Sequence, residues 1–374
     1  MQTKAFLRGD MVEVRSAAEI AATLDVEGKL DGLPFMPEMV PYCGRRLRVY
    51  RRADKICVEG YGLRRLRSTV LLETSRCDGS AHDACQRNCM ILWKEAWLRP
   101  APKAAKDEGA PIHEAAARDR LMATSVRQGD RYACQSTSLA QATTSLSRWS
   151  LAHLGLDVLR RELSAWGLFF IIGRTLINRL RRPFGLGDIG ALVGPSAGRA
   201  TDGLDLRPGE WVKIKSADEI RATLGPDGKH CGLSFEPEMS QYIGRIYQVE
   251  FPVERIVHEE TGKMVRLKHT VALHDVVCEG KCTKNCPRAN TLYWREAWLE
   301  RAGSDENRAE IPARFPLQRE TLLDRRRAHI ETCASGVVGS SPTGRLGAAG
   351  HRSVGLKAPP KPNSTSARLK VRRS

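Results

Sequence analysis

A chain of 374 residues exceeds the usual size of one domain and predicts two or three folding units, each able to bury a modest core. Sixty Lys and Arg against 43 Asp and Glu give a formal charge of +17, which suits an anionic partner such as nucleic acid or a membrane surface. The opening Met1-Gln2-Thr3-Lys4-Ala5-Phe6-Leu7-Arg8 has no apolar signal core, so the expected location is cytoplasmic, and 11 cysteines in a reducing compartment exclude a disulfide framework.

Gly9-Asp10-Met11-Val12-Glu13-Val14-Arg15-Ser16-Ala17-Ala18-Glu19-Ile20 opens the first element. It recurs 200 positions later as Gly209-Glu210-Trp211-Val212-Lys213-Ile214-Lys215-Ser216-Ala217-Asp218-Glu219-Ile220. Pro37-Glu38-Met39 and Tyr42 match Pro237-Glu238-Met239 and Tyr242. After a one-residue insertion Cys77 pairs with Cys278, Cys85 with Cys286, and Trp93 and Trp97 with Trp294 and Trp298. Two copies of such a period read as tandem domains, since a solenoid needs three or more repeats to close a core. The predicted organisation is a β module at 1–100, a flexible linker at 101–147, a basic amphipathic helical segment at 148–200, a second β module at 201–302, a helical extension at 303–334 and a disordered basic tail at 335–374.

Within each copy, alternation at Val12/Val14, Leu47/Val49 and Val70/Leu72 and their counterparts predicts short strands. Ser16 with Glu19, and Ser216 with Glu219, have capping-box spacing for one short helix. Gly28 to Gly44 reads as a long loop carrying Pro-Glu-Met. The fold class is mostly β with some α: two tandem SH3-like barrels joined by a helical linker.

The next features along the chain carry chemistry. Cys77, His82, Cys85 and Cys89 form a Cys-x4-His-x2-Cys-x3-Cys cluster, three thiolates and an imidazole that make a complete tetrahedral zinc shell. Copy two has Cys278, Cys282 and Cys286 but Asn290 where Cys89 would align, so a fourth ligand must come from elsewhere, with His258 preferred over His274. A rearranged site, an open site and no site stay open there. Thiols packed as small hydrophobes are the bland alternative, an iron–sulfur cluster is a second, and Cys85 with His82 as nucleophile and base is a third. Cys134, Cys231 and Cys333 are assigned no such role. Trp93, Trp97, Trp294 and Trp298 are candidate ligand-stacking residues, with core packing as the preferred explanation.

The segment 149–182 has the apolar core Ala165-Trp166-Gly167-Leu168-Phe169-Phe170-Ile171-Ile172-Gly173, flanked by Arg160, Arg161, Arg174, Arg179, Arg181 and Arg182. It is too short to span a bilayer and suits either a helix in an anionic interface or one packed on the modules.

The Gly-Asp-x-Val-x-Val-Arg-Ser opening at Gly9, Gly-Leu-x-Phe-x-Pro-Glu-Met at Gly32 and Gly232, Arg-Cys-Asp-Gly-x-x-His at Arg76 and Trp-Lys-Glu-Ala-Trp-Leu at Trp93 resemble an uncharacterised bacterial protein family of such tandem modules. The resemblance implies a bacterial source and repeated modules and brings no catalytic residue. The expected function is a non-enzymatic, zinc-supported binding or scaffold protein for an anionic or protein partner, peripheral to a membrane in one version. The alternatives are an enzyme or accessory protein of a biosynthetic pathway using the metal or Cys-His site, and a nucleic-acid-binding protein.

Overall fold

A computed structural model of the chain describes residues 5–102, 113–146, 152–195 and 203–303. The expected extension at 303–334, from 304 on, and the tail at 335–374 lie outside the described residues.

Copy one begins with strand β1 (Met11–Val14) and helix α1 (Ala17–Ala21). The Ser16 side chain accepts the Glu19 N–H while Glu19 accepts the Ser16 N–H, so the predicted capping box is formed. Strands β2 (Arg46–Arg52), β3 (Lys55–Val58), β4 (Gly62–Arg65), β5 (Thr69–Arg76), β6 (Met90–Lys94) and β7 (Leu98–Pro100) follow. Five of them form one antiparallel sheet in the order β6-β5-β2-β1-β7, while β3 and β4 make a projecting hairpin. The chain segment before β2 is less loop-like than its glycines suggest. A 3-10 turn at Pro37–Tyr42 and Phe35 fold down onto the tryptophans, with Phe35 edge-on to Trp97 at 5.4 Å.

The segment expected as a flexible linker carries structure in 113–145. Helices α2 (Glu114–Met122) and α3 (Gln135–Ala142) pack on copy one, and β8 (Thr144–Ser145) pairs with β4. The reason is polar as well as apolar. Glu114 accepts the N–H groups of Ala17 and Ala18 at the start of α1, and the Gln135 amide bonds both the N–H and the C=O of Leu92 on β6. Helices α4 (Ala152–Leu159) and α5 (Ala165–Arg181) come next.

Copy two repeats the first in β9 (Trp211–Ile214), α6 (Ala217–Thr223), β10 (Ile246–Pro252), β11 (Arg255–Val257), β12 (Met264–Arg266), β13 (Thr270–Val277), β14 (Thr291–Arg295) and β15 (Leu299–Arg301). Its sheet order β14-β13-β10-β9-β15 matches copy one, down to the bulge between Val49 and Arg51, which reappears between Val249 and Phe251.

The two modules are interlocked rather than strung in sequence. The cysteine loop of each reaches to the projecting hairpin of the other. The Val257 N–H donates to Cys85 Sγ at 3.2 Å and, reciprocally, the Cys57 N–H donates to Cys286 Sγ at 3.2 Å. Arg87 donates to the Val257 carbonyl at 3.0 Å and Arg288 to the Cys57 carbonyl at 2.8 Å, so these four contacts form two repeat-related pairs. Cys286 and Ala289 of copy two are members of the copy-one core cluster. At the centre, Glu259 takes Arg288 on both oxygens and Arg87 at 3.0 Å.

Glu259 is buried, and burial pushes its carboxyl up, but Arg288 against it and Arg87 beyond outweigh that and hold it at about 2. With an unfolded value near 4.3, its contribution to stability is full above that value and is lost as pH falls toward 2. Glu259→Gln leaves two buried guanidiniums underpaired and is expected to destabilise by roughly 3–5 kcal/mol at neutral pH. The difference between variant and wild type should shrink below pH 4; denaturant unfolding across pH 2 to 7 measures both, and a constant difference would remove Glu259 from this role.

Candidate metal centre

The cysteine loop of copy one is built around Gly79. Its φ is +71°, and a Cβ there would lie 2.0 Å from the Cys85 carbonyl oxygen, so only glycine lets the loop close. Gly280 repeats this at φ +74°, 2.2 Å from the Cys286 oxygen. The closed loop brings Cys77, His82, Cys85 and Cys89 to the wall of one cavity. Its other walls include Cys134 and Ser136 at the start of α3, Leu139, and Val257 and Arg288 of copy two.

Glu38 of the Pro-Glu-Met sequence, unremarked as a ligand in the sequence, organises the loop. Its Oε1 lies 2.5 Å from His82 Nδ1, accepts the Ala81 N–H at 3.1 Å and takes the Cys77 thiol at 3.8 Å. Glu38, Cys77 and His82 are a buried group that can hold a metal ion, with ligand atoms all within 4.8 Å of one another. The signal that pointed to Glu38 was its recurrence as Glu238, which accepts the N–H groups of Glu279 at 2.9 Å and Cys282 at 3.1 Å. Cys282 also bonds to Glu238.

His82 Nε2 is buried without a hydrogen-bond partner, although Nδ1 is engaged by Glu38. A histidine whose one ring N–H is held by a carboxylate has its ring orientation and tautomer fixed, which leaves the other nitrogen bare for a metal ion. Cys85 and Cys89 line the same cavity but stand further from the Glu38 trio. Burial pushes the Cys85 thiol up, which disfavours a free thiolate nucleophile beside His82.

In copy two, Cys286 receives the Cys57 N–H, and Cys278 and Cys282 flank Glu238. His258 is not brought to these thiols. It sits in the turn between β11 and β12, with Nδ1 3.1 Å from Thr261 Oγ1 and Nε2 3.7 Å from Glu59, because its hairpin belongs to the cysteine loop of the other copy. His274 pairs with Asp275. No group of ligand atoms among the described residues includes either histidine.

The four tryptophans are core residues. Trp93, Trp97, Trp294 and Trp298 have zero exposure, and Trp93, Trp97 and Trp298 donate to Ser75, Thr23 and Thr223. Fully enclosed rings have no face left on which a ligand stacks, so the binding alternative for them is withdrawn. No family model matches the chain, and no curated protein or solved structure matches it either.

Removing the loop organiser has a defined consequence. Glu238→Ala strands the N–H groups of Glu279 and Cys282 and should cost roughly 1–3 kcal/mol in denaturant unfolding. An unchanged midpoint would mean that water replaces the carboxylate there.

Proposed function

We propose that this chain is a non-enzymatic, metal-supported scaffold that docks on an anionic lipid surface through α5. The observation that carries the reading is that α5 is turned inside out. A surface helix normally buries its apolar stripe. Here Ile171 is the buried residue, while Trp166, at 77 % exposure, Phe169 at 68 % and Leu180 at 69 % face solvent with Phe170, Leu176 and Ile177. At 100° per residue these six fall in an arc of about 120°, centred on Gly173 and opposite Ile171.

Arg174 and Arg181 lie along one edge of that arc. Their internal partners are carbonyls, of Ile189 and Gly187, which leave the positive charge uncancelled. Aromatic and leucine side chains with arginines beside them suit the acyl–headgroup boundary of an anionic bilayer. No helix among the described residues is long and apolar enough to cross a membrane, so the reading is one of surface docking, on the cytoplasmic face.

Metal support rests on Glu38, Cys77 and His82, with zinc as the ion favoured by soft and imidazole donors. Each bent sheet with its hairpin is read as an SH3-like barrel, on the strength of short strands and a shared bulge. Nucleic-acid binding by the modules is less favoured. Residues 203–303 hold 15 basic and 15 acidic side chains, whereas 304–374 hold 14 against 6. An enzyme is less favoured as well, since Glu95 of the Trp-Lys-Glu-Ala-Trp-Leu sequence is taken up by Phe6 N–H and Arg52.

Cosedimentation of the full chain with vesicles containing phosphatidylglycerol should retain it, with binding that weakens as salt rises, while phosphatidylcholine vesicles retain little. The double variant Phe169→Asp/Leu180→Asp should lose at least tenfold in affinity. A wild type that ignores anionic vesicles, or a wild-type dimer that the double variant converts to monomer, would overturn the reading; the second result assigns the ridge to another copy of the chain.

A further inference from the structure

We propose that Cys134, supplied by the linker, is a ligand of a thiophilic metal centre completed by His82, Cys85 and Cys89. The inference rests on the metal-supported reading above but places the ion on the bare Nε2 of His82, so that Glu38 and Cys77 of the trio orient the site rather than bind.

Five soft or imidazole donors line the seam cavity: Cys77, His82, Cys85, Cys89 and Cys134. Cys77 is already committed, since its thiol donates to Glu38 Oε1. The same carboxylate holds the proton of His82 on Nδ1, so the lone pair on the bare, buried Nε2 is available. Four donors remain, three sulfurs and one nitrogen, which is a full tetrahedral complement.

Cys134 is held in place by its surroundings. Its N–H donates to Thr137 Oγ1 at 2.9 Å, and the next residue, Gln135, is clamped to both polar groups of Leu92 at 2.8 and 2.9 Å. It stands at the N-terminus of α3 with its thiol turned to the cavity wall. Cys85 is held as well, its sulfur accepting the Val257 N–H from copy two.

The donors line a wall rather than meet at a point, because the trio with all ligand atoms within 4.8 Å is Glu38, Cys77 and His82. A zinc tetrahedron with 2.3 Å bonds has edges of about 3.8 Å, so a single zinc draws the sulfurs inward. A small iron–sulfur cluster meets them further apart. Both belong to the same thiolate–imidazole chemistry.

The test is metal and acid-labile sulfide analysis of the full chain, purified anaerobically without a metal-affinity tag, for wild type, Cys134→Ser, Cys134→Asp, His82→Ala and the core control Cys43→Ser. Near one zinc per chain, or iron with matching sulfide, lost in Cys134→Ser and His82→Ala and kept in Cys43→Ser, supports the assignment. Cobalt titration covers the case in which Cys134→Ser fails to fold. Cys134→Asp keeps a donor and should bind cobalt with a weaker sulfur-to-metal charge-transfer band, reflecting two thiolates in place of three. Metal lost in His82→Ala but retained in Cys134→Ser, with an unchanged cobalt band in Cys134→Asp, overturns the role of Cys134 and leaves the metal-supported reading standing. No metal in wild type ends both.

Discussion

Everything in this molecule leans on the reciprocal clasp between the two cysteine loops and the two projecting hairpins. Its centre is a buried carboxylate, Glu259, shared by Arg87 and Arg288. Buried charges are tolerable only when paired with good geometry, so the clasp has few alternative registers. Around it, backbone N–H groups of Cys57 and Val257 reach sulfurs of the opposite copy, and Arg76 bridges the loops by donating to the carbonyls of Asn88 and Ala289. A duplicated module joined by a linker is a tethered dimer, with the second docking event made intramolecular.

The near-symmetry makes its departures informative. Glu59 is the repeat partner of Glu259, yet its side chain is 45 % exposed and reaches Arg87 only at 3.5 Å, while Glu259 is sealed. Among the described residues, the difference comes from the segment 113–145. Ser136 at the start of α3 bonds both Glu259 and Arg288, closing one side of the axis and leaving the other to solvent. The same helix start brings Cys134 to the copy-one cavity. Among the described residues, this one segment accounts for the unequal carboxylates.

The duplication, the capping boxes and the strands of each sheet were legible in the sequence because they depend on local spacing and alternation, as at Ser16/Glu19 and Val12/Val14. The enclosure of the tryptophans was legible for the same reason, at their four-residue interval. The clasp was not. A period of about 200 residues states that two units exist but carries no signal of which loop meets which hairpin, and that is why His258 was matched with the wrong cysteine loop. Glu38 and Cys134 were missed because each acts on residues about 40 positions away, through a fold that brings them together. The order in 113–145 was hidden by its Ala- and Ser-rich composition, since its docking depends on Glu114 and Gln135 meeting backbone groups of other elements.

The ridge on α5 is joined to this core by ions at its base as well as by the buried Leu154 and Ile171. Asp157 on α4 takes Lys55 of copy one and Asn285 of copy two, and Glu162, between α4 and α5, takes Arg51 and the Arg52 N–H. The Asp157 contacts span the seam, so a change in how the copies clasp displaces the base of α4. Such an anchor leaves the outward face of α5 free of any packing duty toward the modules, which is the physical reason an apolar stripe can persist there. A helix that owed its position to burying that stripe would have turned it inward; held by its polar base, it keeps Trp166, Phe169 and Leu180 in the solvent.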